Sequence, residues 1–261
     1  MNDTTVIKIG GSTFGSHDTT IEDIVELQQR GERLVVVHGG GSTVTAWMKK
    51  LGIEAHFVRG ERVTDLPTLE VATAVLAGLS NKEITSAINI RGGKAAGISG
   101  VDGALIESRA RNTEMGYVGD VVTVNPGVLE ALLAAGIVPV VSSISLYSVD
   151  RPEDAVGIIN VNGDPVAGDL AIALKAQRLV YLTDVDGVRD GNGNLLERIS
   201  ASEARTLIED GVIAGGMIPK VNAGIRAAAA GAVARIIDGR QSHALLNEIN
   251  GRAGGTTIYE D

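Results

Sequence analysis

Apolar positions in this chain fall into short β-branched runs separated by longer stretches with helical spacing. Leu34, Val35, Val36 and Val37 form one such run, four apolar residues of which three are β-branched. That pattern predicts a buried strand. Gly39, Gly40 and Gly41 follow at once, then Ser42 and Thr43, either of which suits a helix cap. Residues 44–51 have apolar positions at helical spacing. The reading is strand, glycine turn, helix, and it is the unit around which the rest of the chain is organised.

The same alternation runs from end to end. Strands are predicted over residues 5–9, 34–37, 95–98, 118–124, 137–144, 179–182, 233–237 and 256–258, the last as an edge strand. Helices are predicted over 21–30, 44–51, 66–90, 126–135, 164–176, 202–209, 221–230 and 243–249. In the long one, Gly78 and Asn81 mark a break or bend, and residues 57–64 are less regular. A hairpin fits the polar turns and short apolar run of residues 146–162, and Asp190-Gly191-Asn192-Gly193 is a turn. Strands alternating with helices imply an α/β fold, a mostly parallel open central sheet with helices on both faces, or a three-layer αβα sandwich. Ligands bind such sheets at the carboxyl ends of the strands, where Gly10-Gly11, Gly39-Gly40-Gly41 and Thr183-Asp184 fall.

Composition narrows the classes. With 261 residues, 44% of them hydrophobic, the chain can bury a large core in one domain or two joined lobes. A net charge of −9 argues against sequence-independent binding to nucleic acid or an anionic membrane, and 3% aromatics argues against base stacking. The absence of cysteine excludes disulfides, thiolate metal sites and cysteine nucleophiles. Met1-Asn2-Asp3-Thr4-Thr5 has no basic leader character, and no apolar run is long enough to span a membrane, so a soluble cytoplasmic protein is expected.

The glycine turn carries the first chemistry. Without a Cβ, its backbone N–H groups can approach a ligand closely, and the following helix start adds partial positive charge, which together suit an anion. Lys8-Ile9-Gly10-Gly11-Ser12 is a second turn of this kind. No G-x-x-x-x-G-K-[ST] loop and no G-x-S-x-G occur, and Val44 stands where G-x-G-x-x-G needs its third glycine. His17, His38, His56 and His243 have no metal-ligand spacing.

Six segments in order resemble the amino acid kinase family: Lys8-Ile9-Gly10-Gly11, His38 through Gly41, Gly60-Glu61-Arg62-Val63-Thr64-Asp65, Asn160-Val161-Asn162-Gly163-Asp164, Thr183 through Gly187, and Gly216 through Val221. Gly163 stands where alanine is usual. The resemblance implies phosphorylation of the side-chain carboxylate of N-acetyl-L-glutamate by ATP, with Mg²⁺ carried on the nucleotide, in arginine biosynthesis. It implies charge stabilisation by Lys8 and Lys220, oriented by Asp164. It implies phosphoryl and acceptor oxygens held by amides of Gly11, Gly40 and Gly41. Arg62 and Asn160 would bind the acceptor, with Asp184, Gly187, Gly216, Met217 and Lys220 on the nucleotide side. The chemistry asks for positioning and charge neutralisation rather than a base, because the nucleophile is already a carboxylate. It implies an N-terminal lobe, 1–168, for acceptor binding and dimerisation and a C-terminal lobe, 169–261, for ATP. Only four residues precede the first strand, and the expectation is a homodimer insensitive to arginine, paired through residues 66–90.

Each residue also has a plainer reading. Lys8 suits a solvated strand end, Asp164-Pro165 a helix cap and first turn, and Arg62 a surface ion pair with Glu61 or Asp65. Two other functions stand beside the first. One is a sister kinase for carrier-linked aminoadipate or glutamate, which Gly163 suits. The other is a non-catalytic ligand-binding protein of the same fold.

Overall fold

The computed structural model describes residues 4–10, 19–58 and 61–261. β1 (Thr4–Ile9) is followed by α1 (Thr20–Gln29), and β2 (Arg33–His38) runs into α2 (Gly41–Lys50). A small hairpin of β3 (Phe57–Val58) and β4 (Glu61–Arg62) precedes α3 (Leu66–Thr73), a π-helical stretch (Ala74–Ser80) and α4 (Asn81–Ile90). Then come β5 (Ala95–Ser99), β6 (Ile106–Ala110), β7 (Val118–Val124), α5 (Gly127–Ala134), β8 (Val138–Ser142), β9 (Ile144–Tyr147) and β10 (Ile158–Val161). The chain closes with α6 (Gly163–Ala173), β11 (Arg178–Thr183), β12 (Arg198–Ser200), α7 (Ala201–Glu209), α8 (Met217–Ala229), β13 (Val233–Asp238), α9 (Ala244–Ile249) and β14 (Thr256–Tyr259).

Eight strands form one open sheet in the order β12-β14-β13-β11-β1-β2-β8-β5, parallel at every pairing except β13 with β14. The central strands read as continuous apolar runs because both faces are covered. Val6, Val35 and Val37 enter a core with Leu129 of α5, Leu170 of α6 and Val221 of α8. Ile7, Ile9, Leu34 and Val36 enter the opposite one, with Ile24 of α1, Ile88 of α4 and Leu245 of α9. β6, β7, β9 and β10 close into a separate small barrel.

Several expectations change. The apolar run 137–144 is two strands: β8 ends at Ser142 in the large sheet, and β9 begins at Ile144 in the barrel. β6 and β12 escape the hydrophobic pattern because they are short and polar, Ile-Glu-Ser-Arg-Ala and Arg-Ile-Ser. β12 takes the sheet edge expected for residues 256–258, so β14 is internal. α2 starts at Gly41, capped by Gly40 with no side-chain bond, so neither Ser42 nor Thr43 is its cap. α8 starts at Met217, which puts Lys220 in its first turn. The bend expected at Gly78 or Asn81 is a π-helical stretch rather than a break.

α6 and α8 approach closely at Gly168, where a Cβ would lie 2.8 Å from the Ala223 Cβ. Alanine is the better helix former by about 1 kcal/mol, but overpacking a fixed helix contact costs about 1–3 kcal/mol. Gly168→Ala is therefore expected to lower the urea midpoint of unfolding. A raised midpoint would show that the two helices separate freely.

Candidate functional site

The carboxyl ends of β1, β2, β11 and β13 bring Lys8, His38, Thr183 and Asp238 to one end of the sheet. Lys8, only 8% exposed, places its Nζ 2.6 Å from Asp164 Oδ1. Lys220 Nζ lies 2.8 Å from Asp164 Oδ2 and donates to the Gly216 carbonyl at 3.0 Å. One buried carboxylate thus bridges two ammonium groups. Burial pushes its pKa up, but the charges of Lys8 and Lys220 outweigh that and hold it below the ordinary value. The plain readings of Lys8 and Asp164 do not hold, since Lys8 is not solvated and the cap of α6 is Asn162. Asn162 Oδ1 accepts from Asp164 N at 3.0 Å, and Tyr181 donates its hydroxyl to the Asp164 carbonyl at 2.9 Å.

On one side of Asp164 lies a cavity of about 290 Å³ lined by Lys8, Gly40, Gly41, Glu61, Arg62 and Asn160, among others. Arg62 donates to Gly41 O at 2.9 Å and Thr45 Oγ1 at 2.6 Å, with its guanidinium 4.8 Å from the Phe57 ring centre. Its expected ion pairs are absent among the described residues: Glu61 pairs with Arg111, and Asp65 caps α3 by accepting from Thr68 N at 2.9 Å. Gly40 has φ +154°, and a Cβ there would come within 2.8 Å of Leu76 in the π-helical stretch. The backbone angle would strain any side chain at that turn, even where the Leu76 methyl gave way. At Gly163, by contrast, a Cβ would make ordinary contacts of 3.5 and 3.6 Å, so alanine would fit.

A second cavity, about 700 Å³, is lined by Asp184, Gly187, Met217, Asp238 and Arg240, among others. Gly216 caps α8 beside it and accepts from Lys220. Gly11 lies outside the described residues. Asp238 and Arg240 went unread in the sequence, although Asp-Gly-Arg just after a strand marks a turn at a strand's carboxyl end. The side-chain bond from Arg240 chiefly pulls the Asp238 pKa down to about 2. Tyr181, in the middle of an apolar strand, carried no signal at all. No group of three or more acidic or histidine residues that could hold a metal ion occurs among the described residues.

His38 is buried, and desolvation pushes its pKa down to about 4, with the charges of Lys8 and Lys82 adding to the effect. Its Nδ1 lies 2.9 Å from Gly39 O and its Nε2 3.2 Å from the Asn81 amide, which assigns the proton of a neutral ring to Nδ1. Asn81 also donates to Val140 O at 2.8 Å and Ile98 O at 3.1 Å. His243 instead pairs with buried Asp23 at 2.7 Å. His56 is exposed, and His17 lies outside the described residues.

The model of the amino acid kinase family matches residues 3–238. The chain is 51% identical over 257 residues to an acetylglutamate kinase of Dehalococcoides mccartyi strain CBDB1, covering 98% of this chain and 94% of that protein. It is 47% identical to an acetylglutamate kinase of Nostoc sp. strain PCC 7120, covering 98% and 87%. Among solved structures, it superposes with a TM-score of 0.84 and 27% identity on an N-acetylglutamate synthase of Neisseria gonorrhoeae complexed with coenzyme A and N-acetyl-glutamate, over all of this chain and 60% of that one. A carbamate kinase of Giardia lamblia bound to AMP-PNP shares the fold, with a TM-score of 0.74 and 16% identity over 100% of this chain and 99% of that one.

The buried neutral histidine has a pH signature. Below about pH 6.5 the unfolded chain takes up a proton at position 38 that the folded chain refuses until about pH 4. Stability therefore falls on acidification, by about 2 kcal/mol from this group between pH 7 and 5. His243, whose pKa Asp23 raises, works in the opposite sense. The difference between wild type and His38→Gln isolates the effect: urea unfolding of the variant is expected to lose less stability over that interval. Equal losses would show that His38 is protonated in the folded state.

Proposed function

We propose that this chain, which belongs to the amino acid kinase family, transfers the γ-phosphoryl group of ATP to the side-chain carboxylate of N-acetyl-L-glutamate. The product is N-acetyl-L-glutamyl 5-phosphate, an acyl phosphate of arginine biosynthesis, and the compartment is the cytoplasm. The observation that carries the reading is the Lys8–Asp164–Lys220 bridge standing between a small cavity and a larger one. The smaller takes the acetylated amino acid and the larger the nucleotide, so the moving phosphoryl group crosses at the two lysines.

The roles follow from charge and reach. Lys8 and Lys220 neutralise the phosphoryl oxygens as the bond to the β-phosphate breaks and the bond to the acceptor carboxylate forms. Asp164 holds both ammonium groups and takes no proton. The amides of Gly40 and Gly41, at the start of α2, bind acceptor or phosphoryl oxygens, and Gly11 is assigned the same work on sequence grounds. Arg62 clamps the α-carboxylate as a planar fork, and Asn160 meets the acetamido group. Asp184, Gly187, Gly216 and Met217 form the nucleotide wall. Mg²⁺ enters on the ATP phosphates, and no protein ligand is assigned to it.

Residues 1–168 form the acceptor and dimerisation lobe, and 169–261 the ATP lobe. This division falls within α6, at the residue packed on Ala223. The assembly is a homodimer that pairs through the helical run from Leu66 to Ile90, where Leu79 and Ile90 remain exposed. The sister reading, a kinase for carrier-linked aminoadipate or glutamate, would draw on the space that Gly163 leaves.

Hydroxylamine trapping with ATP and free N-acetyl-L-glutamate is expected to yield a hydroxamate. Product from a carrier-linked substrate alone would favour the sister enzyme, and none from either a binding protein. Lys8→Ala and Lys220→Ala are each expected to lower kcat by roughly 10²–10³-fold in a folded protein. Arg62→Ala should raise the KM for N-acetyl-L-glutamate with little change for ATP; an unchanged value removes the clamp. Light scattering should give a mass of two chains, and a single-chain mass would remove the helical interface.

A further inference from the structure

Arg62 sits in the acceptor cavity with its guanidinium uncommitted to any carboxylate among the described residues, although Glu61 lies next to it and lines the same cavity. Glu61 Oε2 is taken by Arg111 Nη1. Arg111, just past β6, is itself fixed on the barrel. Its Nε and Nη2 donate to Asp120 Oδ1 of β7 at 3.0 and 2.8 Å, and its backbone N–H donates to Val118 O at 2.9 Å. The hydrogen bond to Asp120 is the largest influence raising the Arg111 pKa. The hairpin has a second, purely backbone tie to the same region: Thr64 N donates to Met115 O at 3.0 Å and Tyr117 N to Thr64 O at 2.7 Å. Arg111 is therefore not needed to hold the hairpin in place. Its distinctive effect is on charge.

We propose that Arg111 is a positioning residue for the acceptor: shared with Asp120, it pairs with the Glu61 carboxylate at the cavity wall and so leaves Arg62 available to an anionic substrate. The inference rests on the reading of this cavity as the acceptor site. An acceptor with two carboxylates enters beside Glu61. An uncompensated charge there would repel the acceptor and compete for Arg62, whereas the paired one does neither.

Initial rates at saturating ATP, with N-acetyl-L-glutamate varied, test this. Arg111→Met is expected to raise the acceptor KM on the order of tenfold, with kcat and the ATP KM within about twofold. Arg111→Lys keeps the charge and should recover most of the loss. The deciding variant is Glu61→Gln/Arg111→Met, which loses the same tie but also the offending charge. Its acceptor KM should return to within about threefold of wild type. A double variant as poor as Arg111→Met, or an unchanged KM in Arg111→Met, overturns the inference. Should Arg111→Met fail to fold, Glu61→Gln alone decides: a lowered or level acceptor KM supports the charge role and a raised one overturns it. Wild-type enzyme without turnover on this acceptor overturns the acceptor reading itself, and this inference with it, whereas active wild type with insensitive variants overturns only the role of Arg111.

Discussion

A carboxylate buried at 4% exposure is tolerable only with its charge fully answered, and Asp164 meets that condition with two ammonium groups rather than one. The consequence is a local charge of plus one at the junction of two cavities. That surplus makes the place hospitable to an anionic group in transit. It also binds three distant parts of the chain to one another: the end of β1, the first turn of α6 and the first turn of α8. The surrounding structure serves this arrangement. Asn162 caps the helix that carries the aspartate, Tyr181 holds its carbonyl from below, and the Gly168–Ala223 contact brings the second helix close enough for Lys220 to reach. Removing Asp164 would leave two ammonium groups without a counter-charge, whereas removing either lysine would leave a neutral pair and abolish the positive surplus, which is why none of the three can be understood alone.

The smaller cavity follows the same economy of charge by a different route. It contains one arginine and one glutamate, and the two are kept apart by a third residue from the small barrel. The barrel would then contribute to recognition through Arg111 as well as through β10, whose Asn160 and Val161 belong to one of the family's motifs.

Much of this is legible in the sequence. The strand–turn–helix unit around Gly39–Gly41 is where the apolar run and the glycines placed it, because a buried parallel strand leaves a strong local signature. Lys8, Asp164 and Lys220 come together as the ordered motifs implied. What stayed hidden was decided by partners far away in sequence. Nothing local distinguishes Ser143 as the point where one apolar run leaves the large sheet for the barrel; both halves are buried, in different sheets. β12 is three residues long and owes its place to β14. Asp164-Pro165 reads as a good cap, yet the Asn162 side chain reaches the helix first. Arg111 and Tyr181 act through side chains from other elements, which no spacing rule reports.

The π-helical stretch over Ala74–Ser80 has a consequence for how this chain can change its length. Leu76 on that stretch meets the glycine turn, and Asn81, just after it, meets His38 and the ends of β5 and β8. These contacts lie on either side of a wide turn, so their alignment depends on the residue count between them. A π turn closes i→i+5 rather than i→i+4, so the stretch holds an extra residue, and losing it would draw the turn into plain α-helix with Asn81, Ile84 and Ile88 still facing the core. Point substitutions along the helix alter packing by degrees, whereas a deletion in the α-helical turns to either side, with no slack to take it up, would rotate the downstream contacts by about 100° in a single step. The wide turn is where this segment has length to spare.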